Sequence, residues 1–132
     1  MHEEHEALPR RTEEIATTIV DAEVHVHRAL GPGLLESVYE VCLAHEMERR
    51  GRKVRTQVAL PVVYDSLRLE AGYRIDLIVD EDVIVEIKAV ETLTPVHNAQ
   101  LMTYLRMSGR RLGFLINFNT VLLKQGIRRM IL

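Results

Sequence analysis

The chain has 132 residues, of which 47% are hydrophobic and 27% charged, and its formal net charge is −2. This length suits one domain with a real core, and the apolar share argues against disorder. The single cysteine, Cys42, excludes an intrachain disulfide, a four-cysteine zinc site and an iron–sulfur cluster built by one chain. We expect residues 1–10 to form a flexible tail and residues 11–132 to form the domain.

Targeting signals and charge distribution suggest where the protein acts. No apolar run reaches the length of a membrane span, and the polar N-terminus is unlike a signal peptide, so we expect a cytoplasmic protein. Residues 1–50 contain eleven acidic and five basic residues, a net charge of −6. Residues 51–132 contain eight acidic and twelve basic residues, a net charge of +4. A basic half that carries an acidic pocket is compatible with a nucleic-acid partner.

The first third of the chain predicts two helices. Apolar residues recur at helical spacing from about Arg11 to Leu30, and Gly31-Pro32-Gly33 ends that helix. A second helix is predicted from about Leu34 to Arg50, where Gly51 stops it. Its expected inward-facing residues are Leu34, Val38, Val41 and Cys42.

The middle of the chain predicts three strands. Residues 52–64 are strand-like, and Pro61 indicates an edge position or a bulge. Two alternating apolar runs, residues 73–79 and 83–89, flank three consecutive acidic residues, and this pattern predicts a β-hairpin. One face of the hairpin is expected to belong to the core: Tyr73, Ile75, Leu77, Val83, Val85 and Ile87.

The register of this hairpin predicts a candidate metal site. If the three acidic residues form the loop, Val79 pairs with Val83 and Asp76 lies opposite Glu86, with Lys88 beside Glu86 on the same face. Opposed carboxylates repel each other, and each resists the loss of its hydration. A bound cation removes both penalties and therefore favours a metal site. The alternative is an ordinary solvated sheet face with one ion pair.

The last third predicts a helix followed by two strands. Thr94-Pro95 starts a helix that runs to about Ser108, with threonine as N-cap and proline at the first helical position. Gly109 ends this helix. Residues 112–118 form a nearly continuous apolar run, which is typical of a buried strand, and residues 126–132 predict a short strand.

Two helices carry polar residues that can reach the hairpin. His97, Gln100 and Tyr104 share one face of the third helix, from which Gln100 and Tyr104 can point towards Glu86 and Lys88. The alternative is that they serve only packing and solubility. Glu36, in the first turn of the second helix, is favoured by the helix dipole alone. It gains a functional role if that helix packs beside the hairpin.

Several of these segments resemble a known family. Gly33-x-x-Glu36-x-x-Tyr39 looks like the signature of the GxxExxY proteins, a bacterial and archaeal group in the PD-(D/E)XK nuclease superfamily. The similarity extends from about Ile15 to Leu132. The middle of the chain is also similar to RecB-type exonucleases, which combine three motifs. Their counterparts here are a G-x-x-x-D strand (Gly72 to Asp76), an E-x-K strand (Glu86 to Lys88) and a Q-x-x-x-Y helix (Gln100 to Tyr104).

The resemblance implies an α/β fold, the PD-(D/E)XK (restriction-endonuclease-like) core, in which helices flank a mixed β-sheet. It implies that Asp76 and Glu86 bind Mg²⁺ or Mn²⁺, with the Ile87 carbonyl and Glu36 completing the ligands from the protein. Hard oxygen ligands with waters left in place suit Mg²⁺.

The resemblance also implies a function. Lys88 would orient the attacking water and neutralise developing charge, and Gln100 and Tyr104 would hold the nucleic-acid backbone or a metal-bound water. The leading hypothesis is a metal-dependent deoxyribonuclease, of which an exonuclease is one candidate type. The alternatives are a nucleic-acid-binding or partner-binding module without efficient hydrolysis, and an endonuclease similar to Holliday-junction resolvases. Because one small subunit offers little surface to grip a duplex, we expect a dimer or higher homo-oligomer, or a partner.

Overall fold

The computed structural model of the chain describes residues 7–132. The order of its elements is the predicted one, helix, helix, three strands, helix and two strands, with one short helix added before the last strand. The elements are α1 (Arg10–Leu30), α2 (Glu36–Arg49), β1 (Val54–Tyr64), β2 (Leu67–Val79), β3 (Val83–Lys88), α3 (Pro95–Ser108), β4 (Leu112–Asn117), α4 (Leu123–Gly126) and β5 (Ile127–Ile131).

The strands form one mixed sheet in the order β1-β2-β3-β4-β5. β3 and β4 are parallel, whereas the other neighbouring strands are antiparallel. Two adjacent parallel strands need a long crossover connection, and α3 supplies it. The predicted α/β fold, with helices flanking a mixed sheet, is confirmed.

Helices cover both faces of this sheet. α1 and α2 pack on one face, where the predicted stripe of Ile15, Ile19, Ala22 and Val26 is buried. α3 packs on the other face through Leu101, Tyr104 and Leu105. Because both faces are covered, the central strand β4 is buried at every position, which explains its continuous apolar run.

The predicted inner face of α2 is largely wrong. Val38, Val41 and Leu34 are exposed, at 39%, 67% and 40% of their maximal area, and Cys42 is only partly buried against the core. The buried stripe is Tyr39, Leu43 and Met47, at spacings of four residues. Since apolar residues occur on two sides of this helix, periodicity alone did not identify the side that the sheet covers.

The edge strand β1 has the irregularity that Pro61 indicated. Among residues 7–132, β1 pairs with one neighbour, β2, and the register of this pair shifts between Leu60 and Val62. Gly72 lies opposite this shift, and a Cβ atom at that position would lie 2.5 Å from the Leu60 carbonyl oxygen. The glycine therefore allows the bulged strand to approach β2 closely.

The prediction that Tyr73, Ile75 and Leu77 share a face is wrong. Leu77 packs with the cluster under α1 and α2, whereas Ile75 packs in the cluster under α3, and the Tyr73 ring contacts Tyr104 of α3. On β1, between the partners of Ile75 and Leu77, Gln57 has a positive φ of 50°. The β1–β2 ribbon changes face at this point, so strict alternation fails beside Asp76.

Two predictions concern the ends of the chain and membranes. α1 begins at Arg10, so only Ala7–Pro9 of the predicted tail lie outside the helix in the described part, and residues 1–6 lie outside the described residues. None of the helices between residues 7 and 132 is long and apolar enough to cross a membrane.

Candidate active site

The β2–β3 pair opens at the two carboxylates that the sequence placed opposite each other. Val79 pairs with Val83, as predicted, and the ladder continues to Leu77 and Val85. At the next position the backbone N–H of Asp76 donates to Glu86 Oε1 at 3.2 Å. The backbone N–H of Ile87 donates to Asp76 Oδ2 at 2.8 Å. Side-chain oxygens therefore take the place of ladder carbonyls, and they hold both carboxylates in the gap between the strands.

This position perturbs the protonation of Glu86. The side chain is only 3% exposed, because β3 is a central strand with helices on both faces. Burial raises the pKa of Glu86 to about 9, the negative charge of Asp76 adds to the rise, and Lys88 opposes it. Without a cation, Glu86 therefore keeps its proton at neutral pH.

Lys88 and the polar face of α3 line a common groove near Glu86. Lys88, Gln100 and Tyr104 line one groove of about 530 Å³, together with Tyr73 and His97. Gln100 Nε2 donates to the Tyr104 hydroxyl at 3.0 Å. Burial raises the pKa of Tyr104 to about 12, and the Glu86 charge adds to the rise, so the phenol stays protonated. The predicted shared face of His97, Gln100 and Tyr104 is confirmed, and it lies beside Lys88.

The N-terminus of α2 reaches the same gap from the α1/α2 side. Glu36 Oε2 accepts a hydrogen bond from the backbone N–H of Ala89 at 3.1 Å, directly after β3. Glu36, Asp76 and Ile87 line a second cavity, of about 240 Å³. The packing condition for a functional Glu36 is therefore met, because α2 does lie beside the hairpin.

Sequence reasoning missed three residues that line this cavity, Ser37, Glu40 and Gln57. Gln57 Nε2 donates to Glu40 Oε1 at 2.6 Å and lies 3.3 Å from Asp76 Oδ1. Burial raises the pKa of Glu40, as do the charges of Asp76 and Glu36, while the Gln57 hydrogen bond lowers it. A signal for Glu40 existed, since Glu36 and Glu40 form an i,i+4 pair of like charges that destabilises a helix. The sequence contains no pattern that identifies Gln57, because its position depends on the point at which the side chains of β1 change from one face of the sheet to the other.

A buried amide at the end of β4 supports the chain that follows β3. Asn117, at the end of β4, is 2% exposed. Its Oδ1 accepts from the Val90 N–H at 3.1 Å, and its Nδ2 donates to the Val90 carbonyl oxygen at 2.9 Å. This amide fixes the chain two residues after Lys88.

The donor set consists of hard oxygens. Asp76 and Glu86 are the pair in contact, and Glu36 and Glu40 line the cavity on one side of them. Within residues 7–132, no group of three or more histidine, cysteine, aspartate or glutamate side chains is close enough to hold a metal ion. As the side chains stand, a cation at this site would contact Asp76 and Glu86 together with backbone carbonyl or water oxygens, and such oxygen ligation suits Mg²⁺.

Comparison with known proteins places this geometry in a family. A family model described as the PD-(D/E)XK nuclease superfamily matches residues 13–130. Neither the search of curated proteins nor the search of solved structures finds a significant match to the chain. The superfamily match indicates a nuclease, which is a hydrolase that binds nucleic acid, and nucleases of this superfamily generally use divalent metal ions. The match covers most of the chain and includes the strand pair, Lys88 and α3, so the chain belongs to the PD-(D/E)XK nuclease superfamily.

Proposed function

We propose that this protein is a cytoplasmic, Mg²⁺- or Mn²⁺-dependent nuclease that hydrolyses phosphodiester bonds of DNA, with Asp76, Glu86 and Lys88 as its catalytic centre. The observation that carries the proposal is the opened β2–β3 pair, in which two carboxylates face each other and one of them is buried. A fold gains no stability from this arrangement, because it costs desolvation and like-charge repulsion. A functional cation site explains why both acids are present.

Asp76 and Glu86 would hold the metal ion, with the Ile87 carbonyl and Glu36 as the proposed further ligands. The fit rests on the donor chemistry: two opposed carboxylates can both ionise only if a cation offsets their charges. When bound, the ion would supply a Lewis acid that activates water and offsets charge on the phosphate. To act as a ligand, Glu36 would have to release the Ala89 N–H or bind the ion with its other carboxylate oxygen.

The other residues would orient the substrate. Lys88 lies in the groove next to Glu86, where its ammonium group can orient the attacking water and neutralise charge that develops on the phosphate. Gln100 would contact the nucleic-acid backbone or a water with its amide. Tyr104, which Gln100 holds at its hydroxyl, would fix that amide in place.

Within the superfamily, we propose that the chain is a GxxExxY protein and that its central motifs correspond to those of RecB-type exonucleases. The tyrosine of the signature has a physical role here. The Tyr39 hydroxyl donates to the Gly31 carbonyl oxygen at 2.6 Å and accepts from the Leu34 N–H at 3.1 Å. It thereby holds the turn that sets the start of α2 and hence the position of Glu36.

We also propose that the active form is a homo-oligomer. The far end of the β1–β2 hairpin exposes several large apolar side chains, which a single subunit leaves in water. They are Val63, Tyr64, Leu67 and Leu69. Light scattering coupled to size-exclusion chromatography would give the molar mass in solution, and a mass equal to the 15.2 kDa chain would contradict this proposal.

The test of the function is a cleavage panel. Labelled single-stranded, duplex and branched DNA of one sequence would be incubated with Mg²⁺, with Mn²⁺ or with EDTA, beside the Asp76→Asn variant. We expect cleavage by the parent protein that requires metal and that Asp76→Asn abolishes. Cleavage from strand ends identifies an exonuclease, and cleavage of branched DNA alone identifies a resolvase-like endonuclease.

The panel also separates the enzyme from a binding module on the same fold. Nucleic-acid binding without cleavage of any substrate would contradict the nuclease proposal and support the binding module. Cleavage that persists in EDTA would contradict the metal-dependent mechanism. RNA of the same sequence, added as a further substrate, tests the assignment to DNA.

A further inference from the structure

One exposed aromatic ring lies in the groove that also contains Lys88. The chain has no tryptophan, two phenylalanines and four tyrosines, all between residues 7 and 132. Both phenylalanines, and also Tyr39 and Tyr104, are at most 3% exposed. The exposed rings are Tyr64, at 76%, and Tyr73, at 54%. Of these two, Tyr73 lines the groove with Lys88, whereas Tyr64 is at the far end of the β1–β2 hairpin.

The Tyr73 ring is supported from behind. Its centroid lies 6.0 Å from that of Tyr104, at an interplanar angle of 45°. Tyr104 is itself fixed, because it is buried and Gln100 binds its hydroxyl. Contacts of this kind between aromatic rings are favourable. The Tyr73 ring is thus held in place by Tyr104, while about half of the residue stays exposed in the groove.

From this geometry we infer that Tyr73 stacks on an unpaired base next to the scissile phosphate, so that the site selects single-stranded nucleic acid or frayed ends over continuous duplex. The inference rests on the proposed nuclease function and assigns its substrate class. The groove volume, about 530 Å³, is within the ~300–1,000 Å³ range of ligand pockets. Tyr73 precedes Asp76 by three residues, about 10 Å along the strand. It also lines the same groove as Lys88. A base stacked on Tyr73 would therefore belong to a nucleotide beside the phosphate that Lys88 contacts.

The selectivity follows from the state of the base before binding. A base in a single strand can stack on a ring whatever its identity, since every base has a π-face. A base in a duplex is already stacked and paired, and it must be extruded before it can reach Tyr73. The ring therefore adds affinity for unpaired nucleotides and none for the interior of a duplex.

The test measures binding separately from cleavage. Single-stranded DNA and RNA oligonucleotides carrying 2-aminopurine, and a DNA duplex cross-linked at both ends so that it cannot fray, would be titrated in EDTA at one salt concentration. The proteins are the parent, Tyr73→Leu, Tyr73→Phe and the control Val41→Ala, which changes an exposed apolar residue of α2 outside the groove. Leucine keeps an apolar side chain on the strand, and thermal melting confirms that each variant is folded.

We expect Tyr73→Leu to bind the single strand about 5- to 150-fold more weakly, which is ~1–3 kcal/mol per stacked base at 1.4 kcal/mol per factor of ten. It should also lose the quenching of 2-aminopurine fluorescence, while its affinity for the duplex stays at the parent value. Tyr73→Phe and Val41→Ala should behave like the parent. The larger loss in the DNA or the RNA arm shows which polymer the site reads.

Three results would overturn the inference: a Tyr73→Leu variant with parental affinity for the single strand, equal losses for single strand and duplex, or a parent that does not bind single strands. The cleavage panel keeps the two proposals apart. A parent that binds single strands through Tyr73 but never cleaves contradicts the nuclease and leaves the stacking role standing. A parent that cleaves with no effect of Tyr73→Leu contradicts the stacking role alone.

Discussion

Replacing Glu86 by glutamine should stabilise the metal-free protein at neutral pH. The pKa of Glu86 is about 9 in the folded protein, compared with 4.5 for an unperturbed glutamate. Between these values the folded state binds more protons than the unfolded state, so the free energy of unfolding falls as pH rises through this window. At pH 7 the loss amounts to 2.5 pH units at about 1.36 kcal/mol each, about 3 kcal/mol. A glutamine is neutral in both states and avoids this loss.

The assay is urea unfolding in EDTA at pH 5 and at pH 7, for the parent, Glu86→Gln and the exposed control Glu91→Gln. We expect Glu86→Gln to be more stable than the parent by up to about 3 kcal/mol at pH 7, and by much less at pH 5. Glu91→Gln should follow the parent at both pH values. The reasoning is refuted if Glu86→Gln is no more stable than the parent at pH 7, or if its advantage does not shrink towards pH 5.

Three further predictions concern metal binding, pH and the turn before α2. In thermal melts, a hundredfold excess of Mg²⁺ over Kd should stabilise the parent by ~2.7 kcal/mol and leave Asp76→Asn unchanged. A parent whose melting temperature does not rise with Mg²⁺ would contradict the metal site. Burial raises the pKa of Glu23, which is 1% exposed, to about 7. Glu23 should therefore lower parental stability from pH 4.5 to 7 by up to about 3 kcal/mol, in addition to the fall caused by Glu86. Chemical denaturation of Glu23→Gln should show a smaller fall than the parent over this range, and equal pH profiles would contradict the role of Glu23. Tyr39→Phe should cost about 1–3 kcal/mol in urea unfolding, because it unpairs Gly31 and Leu34; a neutral effect contradicts that role.

The sequence predicted the element order and the hairpin register because local signals specify both. Thr94-Pro95 and Gly109 bound α3 as expected, and Gly109 has the left-handed conformation of a helix C-cap. With the three acidic residues as the loop, the predicted register pairs Val79 with Val83, as the structure does, and it brings Asp76 and Glu86 together. Pro61 also gave a correct signal, since a residue without an N–H belongs at an edge or a bulge.

The errors arise where tertiary contacts, rather than local pattern, decide which side is buried. α2 carries apolar residues on two sides, and only its packing on the sheet identifies Tyr39, rather than Val41, as buried. The face of Tyr73 depends on the change of face beside Gln57, which lies on another strand. Because that change also brings Gln57 to Asp76, the polar support of the site could not be predicted from the spacing of residues along β2 and β3.

The most direct test of the central claim is the single-turnover cleavage rate of Lys88→Ala in Mg²⁺, measured with its affinity for the same DNA. A lysine that stabilises charge only in the transition state lowers turnover more than affinity when it is removed. We predict that cleavage falls by about 10²-fold or more while DNA binding and the metal-dependent melting shift change only modestly. The exposed Lys53→Ala serves as the control and should match the parent. Cleavage by Lys88→Ala at the parental rate would contradict the account.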